Sequence, residues 1–184
     1  ATPPAGSYTY SWSGDASGAI QNVTQTYSTA GTKNATVNVT SGGISKSASC
    51  SVTIIAPAQP DLITQSLSRN PSSPTPGQSV TFSGVVRNNG SGSAGSSTAR
   101  FCVDNSNCSS STTRRVGGDI TISSLAAGAN SSSLTSGSWS TTSGSHTIYF
   151  CADVGNSVSE SNEGNNCSNA PFIVSSSPAP FVEL

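Results

Sequence analysis

Residues 145–174 constrain the chain most, because their pattern suits a single local structure. His146, Ile148 and Phe150 alternate with Thr147, Tyr149 and Cys151, and a second apolar run covers residues 170–174. A period of two built from aromatic and β-branched residues predicts strands. Between the two runs lies a polar tip carrying Asp153, Asn156, Glu160, Asn162, Glu163, Asn165 and Asn166. Cys151 and Cys167 flank that tip as facing residues of an antiparallel pair would. A bond between them would staple a hairpin across its neck.

Short alternating blocks recur along the chain between clusters of Gly, Pro, Asn and Ser, the pattern of an all-β protein. Charged residues make up 8% and the formal net charge is -1, so there is no electrostatic footprint for nucleic acid or an anionic membrane. No apolar run approaches the roughly 18 residues that a membrane helix needs. No signal peptide opens the sequence, so it is expected to be a mature chain or part of a longer one. Five cysteines in a charge-poor chain rich in Ser and Thr favour an oxidising compartment, outside the cell or at its surface. One histidine and no Cys-x-x-Cys spacing give no zinc site, and no cofactor is implied.

Residues 1–56 form one predicted unit. Tyr8, Tyr10 and Trp12 alternate in a first strand, residues 20–27 read as a second, residues 33–40 as a third with Ala35, Val37 and Val39 on one face, and residues 47–55 as a fourth. The run Tyr8-Thr9-Tyr10-Ser11-Trp12, then Gly14-Asp15, then Thr26-Tyr27-Ser28-Thr29-Ala30-Gly31-Thr32 resembles a PKD repeat, an immunoglobulin-like sandwich of secreted proteins. Against that pattern the unit lacks its first strands. Ala56-Pro57-Ala58-Gln59-Pro60 follows, with residues 57–60 a linker stiffened by its prolines.

Residues 61–174 hold seven or eight further alternating runs, enough for one complete sandwich. Pro60-Asp61-Leu62, Pro76-Gly77, Val85 with Asn88-Asn89-Gly90, Leu125 with Gly128, Trp139, Gly144-Ser145-His146 and Asp153 punctuate them. The block Val158-Ser159-Glu160-Ser161-Asn162-Glu163-Gly164-Asn165-Asn166 completes the set. This unit resembles CARDB, the cell-adhesion-related domain found in bacteria. The resemblance implies an immunoglobulin-like sandwich used as a surface or spacer module, with no catalytic motif. The expected fold is therefore two tandem immunoglobulin-like β-sandwiches joined by a short Pro-rich linker. Residues 175–184 would add a Pro/Ser linker and a terminal strand.

The acidic tip has two readings. Asp153, Asn156, Glu160 and Glu163 are candidate calcium ligands, since calcium takes six to eight hard oxygens. Alternatively, their side chains bond the loop's own backbone, with Glu160 tying the hairpin to a neighbouring strand. The absence of EF-hand spacing favours the second reading. Glu160 and Glu163 do not suit a glycosidase, which needs two carboxylates converging across a cleft. His146 is expected to pack or cap, because no Ser-His-Asp or Cys-His arrangement stands out around it. Tyr8, Tyr10 and Trp12 fit either a sugar-stacking stripe or core-facing side chains, and the strand pattern favours the core. Sequons occur at Asn22, Asn34, Asn38, Asn107, Asn130 and Asn166; in such a composition many arise by chance, and those inside strands or beside cysteines are expected to be poor acceptors.

Cys102 and Cys108 flank a second turn, Asp104-Asn105-Ser106-Asn107, so the expected disulfides are Cys102–Cys108 and Cys151–Cys167, leaving Cys50 unpaired. The rival set is Cys102–Cys151 with Cys108–Cys167. After Ser175 a Pro/Ser stretch leads into Phe181-Val182-Glu183-Leu184, a short apolar alternation that reads as an assembly strand. It could complete the open sheet of the first unit in a neighbouring copy, or begin a further domain of a tandem array. No constellation supports an enzyme. The functional expectation is a non-catalytic extracellular segment of a filament, stalk or adhesin, partnered by copies of itself or by adjacent domains. A carbohydrate- or surface-binding module is the alternative, with glycans as its partner.

Overall fold

A computed structural model describes residues 7–106, 108 and 114–175. The chain divides into two compact units, Ala1–Pro57 and Ala58–Leu184. All regular elements among the described residues are β-strands, and no helix is long and apolar enough to cross a membrane.

The first unit is one antiparallel sheet in the order β1-β2-β3, with β1 at Thr9–Gly14, β2 at Gly31–Ser41 and β3 at Ile44–Ile54. Its register sorts the side chains by parity. Trp12, Val37 and Ala48 form one rung, and Gly14, Ala35 and Cys50 another on the same face. The opposite face carries rungs such as Ser11, Asn38 and Ser47. Tyr10 and Trp12 are half-buried on the apolar face, while Cys50 is exposed on it.

The strand expected at residues 20–27 does not form, and the described residues give one three-stranded sheet where four strands of an incomplete sandwich were expected. Trp12 accounts for the difference. Its backbone N–H donates to the Gly18 carbonyl at 2.9 Å and its indole Nε1 donates to the Ile20 carbonyl at 3.0 Å. The segment is thus folded back onto β1 by the tryptophan, and Ile20 is left 66% exposed.

The second unit is a sandwich of two sheets. One runs β11-β10-β6-β7, and the other β4-β5-β8 with β9 also paired to β5. The elements are β4 (Leu62–Asn70), β5 (Ser79–Asn88), β6 (Ser97–Val103), β7 (Ile120–Ile122), β8 (Leu134–Thr135), β9 (Trp139–Ser140), β10 (Gly144–Cys151) and β11 (Cys167–Val174). Every second residue of β5 turns inward, so Val80, Phe82 and Val86 meet Phe101, Ile148, Phe150, Phe172 and Val174 in one core. Arg115 makes only an isolated bridge to Cys102, and the ladder resumes at Ile120 after Gly117-Gly118.

Phe101 and Phe150 stack at 4.3 Å in the middle of this core. The stack fits because β5 has a glycine beneath it: a Cβ on Gly84 would lie 2.6 Å from the Phe150 ring. Gly84→Ala should therefore cost about 1–3 kcal/mol by overpacking. Gly95→Ala, where an added Cβ meets nothing within 4 Å, should stay within about 0.5 kcal/mol of wild type. Denaturant titration of the two variants checks the contrast, and equal midpoints would contradict the packing account.

Candidate functional site

The tip between β10 and β11 is organised by its own carboxylates. Asp153 Oδ1 accepts the Ser157 N–H at 3.0 Å and its hydroxyl at 2.7 Å, and Oδ2 accepts the Val158 N–H at 2.8 Å. Asp153 and Asn156 both take positive φ, 40° and 49°, a conformation that Asp and Asn tolerate better than most residues. Glu163 Oε1 accepts the Glu160 N–H at 2.9 Å, and Asn162 Oδ1 accepts the Gly164 N–H at 3.0 Å.

Glu160 reaches out of the tip. One carboxylate oxygen accepts the Leu62 N–H at the start of β4, and the other accepts Asn166 Nδ2 at 2.8 Å. Burial pushes its carboxyl above the ordinary value, opposed by those two donors and reinforced by the nearby charges of Glu163 and Asp153. Asn165 Nδ2 donates to Asp61 Oδ1 at 2.9 Å, and the Ser161 N–H donates to the Pro60 carbonyl at 2.8 Å. Behind Asp61 sits Asn88, fully buried. Its Oδ1 accepts the N–H groups of Asp61 and Gly90, and its Nδ2 donates to the carbonyls of Gly92 and Leu125. The hairpin tip is thereby fastened to the opening of the sandwich, residues 60–62, from the far end of the sequence.

Asp153, Asn156 and Glu163 line one shallow pocket with Asn166, whereas Glu160 is turned to β4. Among the described residues no three His, Cys, Asp or Glu side chains group as a metal site. Both oxygens of Asp153 and of Glu160, and Glu163 Oε1, already accept hydrogen bonds from the loop, from Leu62 and from Asn166.

Cys102 is bonded to Cys108 and Cys151 to Cys167, with Cα separations of 5.7 and 4.1 Å, and Cys50 is free. Cys102, Cys108 and Cys151 pack in one cluster with Tyr149 and Val154. Beside it Arg100, nearly buried, grips Asp119 with two nitrogens at 2.7 and 2.8 Å and donates to the Cys108 carbonyl at 2.6 Å. Arg100 holds the Asp119 carboxyl below its ordinary value. This clamp was missed in the sequence, although an arginine within the apolar run of β6 signals a partner for its charge.

His146 lies between two acceptors. Nδ1 is 2.8 Å from Asp104 Oδ2, Nε2 is 2.9 Å from the Thr142 carbonyl oxygen, and the ring meets Trp139 edge-on. A carbonyl oxygen only accepts, so Nε2 carries its hydrogen toward it and is not a base for the Thr142 hydroxyl. Packing and capping describe this histidine. Burial pushes the Asp104 carboxyl up, but the His146 hydrogen bond, the Thr147 N–H and the charges of His146 and Arg114 outweigh it. The group sits below its ordinary value.

The CARDB family model matches residues 59–170. The chain belongs to the CARDB family. The match covers the sandwich and the fastened tip together, and the tip block at residues 158–166 supplies Glu160, Asn165 and Asn166 to the network. Among solved structures the chain is similar to the CARDB domain of a Pyrococcus furiosus protein, crystallised in complex with di-metal ions. That match has 22% identity and a TM-score of 0.52, covering 67% of this chain and 100% of that one. A domain of a candidate cell-surface protein from Methanosarcina acetivorans matches at 26% identity with a TM-score of 0.47, over 63% of this chain and 92% of that one. No curated protein matches.

Two outcomes test this CARDB site. Glu160→Ala leaves the Leu62 N–H unpaired and should cost about 1–3 kcal/mol, with loss of hydrogen-exchange protection at that amide. Retained protection at Leu62 would sever the tip from β4. For Asp104, a depressed carboxyl stabilises above its unfolded value and loses that contribution as pH falls through the folded one. Melting temperature should therefore drop more steeply for wild type than for Asp104→Asn below the ordinary aspartate range. Parallel acid limbs would remove the His146–Asp104 contact from the account.

Proposed function

We propose that this chain is a non-catalytic extracellular module of a surface filament, stalk or adhesin, and that its first unit, PKD-like, takes a strand from a neighbouring copy or adjacent domain. The observation that carries the reading is the edge of the three-stranded sheet. β3 is 11 residues long, contains no proline and a single charge, Lys46, and is exposed along nearly its whole length. Natural edges of this kind are usually shortened, bulged or charged to prevent pairing, and on β3 Lys46 is the one such device. Strand addition to such an edge joins backbone N–H and C=O groups without needing a pocket.

Phe181, Val182, Glu183 and Leu184 lie outside the described residues and are the proposed donor, pairing along the edge of β3. A contact between the tail of one copy and the first unit of the next is heterologous, and it makes an open filament unless its rotation closes a ring. The two disulfides support an extracellular or cell-surface setting, since such bonds persist in oxidising compartments. The fastened tip supports a structural role for the CARDB sandwich, because its carboxylates are committed to holding β4 and the loop.

Deletion of residues 178–184 tests the assembly. Full-length material should form filaments in negative-stain electron microscopy and the deletion should leave single particles with a lower melting temperature. Filaments and melting unchanged by the deletion would mean that the tail donates nothing.

A further inference from the structure

The face of the β1-β2-β3 sheet opposite the apolar one is a ladder of hydroxyl and amide groups. Thr9, Thr40 and Ser45 form one rung, Ser11, Asn38 and Ser47 the next, and Ser13, Thr36 and Ser49 a third. Two sequons run along it. Asn34-Ala35-Thr36 and Asn38-Val39-Thr40 both lie on the central strand β2. The period of two puts each asparagine and its hydroxyl on the same side. Asn34 and Asn38 are exposed, and neither carboxamide has a hydrogen-bond partner among the described residues. The sequon hydroxyls are turned sideways to the neighbouring strand, Thr36 to Ser49 at 2.8 Å and Thr40 to Ser45 at 2.7 Å, whereas the two carboxamides make no such bond.

The sequon at Asn166 is placed differently. Its Nδ2 is given to Glu160, its middle residue Cys167 is in a disulfide, and Ser168 takes the Thr64 hydroxyl. Asn107 lies outside the described residues.

We propose that Asn34 and Asn38 are N-glycosylation acceptors and that this sheet presents a glycan-bearing face. The co-reactant is an oligosaccharide carried on a lipid phosphate. Each Nδ2 forms a bond to the anomeric carbon, the bond from that carbon to the phosphate oxygen breaks, and the phosphate leaves with the electron pair. The amide loses one proton to solvent, and nothing is oxidised or reduced. β2 is paired on both sides, so transfer precedes closure of the sheet. Four residues of extended strand separate the acceptors by about 13 Å, room for two sugar chains side by side. The glycans then cover the polar face and leave the apolar one for contact. The assignment stands on the face geometry and does not depend on strand donation.

Protein purified from the cells that naturally produce it is the material for the test. Trypsin cuts after Lys33 and Lys46, so one peptide, residues 34–46, carries both acceptors. It should carry two glycans by mass spectrometry. Release with peptide N-glycosidase in heavy-oxygen water should convert Asn34 and Asn38 to labelled Asp, while the Asn166 peptide stays unlabelled. Asn34→Gln and Asn38→Gln, expressed in the same cells, should each lose one glycan. A native peptide that carries no glycan, or only one, overturns the assignment, as does modification that persists in the double variant.

Discussion

The CARDB sandwich depends on one long-range hydrogen bond, from the Leu62 backbone N–H to the Glu160 carboxylate, spanning 98 residues of sequence. It joins the first strand to the tip before the last one. Around it Asp61, Asn88, Asn165 and Asn166 tie residues 60–62 to the tip through further hydrogen bonds. Removing any one member leaves a buried donor or acceptor exposed to a low-dielectric surrounding, where an unpaired group is expensive. The network anchors the start of β4, which pairs with β5 from Leu62 opposite Asn88.

Much of the second unit was legible because its core obeys parity. The expected strand at residues 79–88 is β5 itself, and His146, Ile148 and Phe150 do share a face, with Ile148 and Phe150 at the centre of the core. What the sequence hid was partnership across distance. Glu160 does tie the tip to a neighbouring strand as expected, but nothing in the local pattern names Leu62 as its partner, or pairs Arg100 with Asp119 or Asp104 with His146, since sheet topology alone brings each pair together. In the first unit the misreading at residues 20–27 has a different cause. Ile20, Val23 and Tyr27 imitate a strand, but a single indole N–H and one backbone bond from Trp12 hold that segment against β1 instead.

The first unit shows how far alternation alone can shape a surface. A sequence in which nearly every second residue of three strands is Ser, Thr or Asn makes a sheet with one wet face and one apolar face. The apolar side includes Val52, 49% exposed, next to the exposed Cys50 along β3. Lys33, opposite Val52, and Lys46, opposite Val39, share that side, so contact through it would combine burial with a charge contribution that salt weakens.

The bond between Cys151 and Cys167 has a mechanical consequence. β4 begins beside the tip and β11 leaves it, since Thr64 meets Ser168 and both strands run away from that end. Tension applied at residues 60 and 175 therefore enters and leaves the sandwich at opposite poles and loads its outer strands in shear. Within the hairpin the load crosses from β10 to β11 through two sulfur atoms, bypassing residues 152–166. Because residues 60–62 are held by the tip, a pull at residue 60 also loads the hydrogen bonds of Ser161, Glu160 and Asn165.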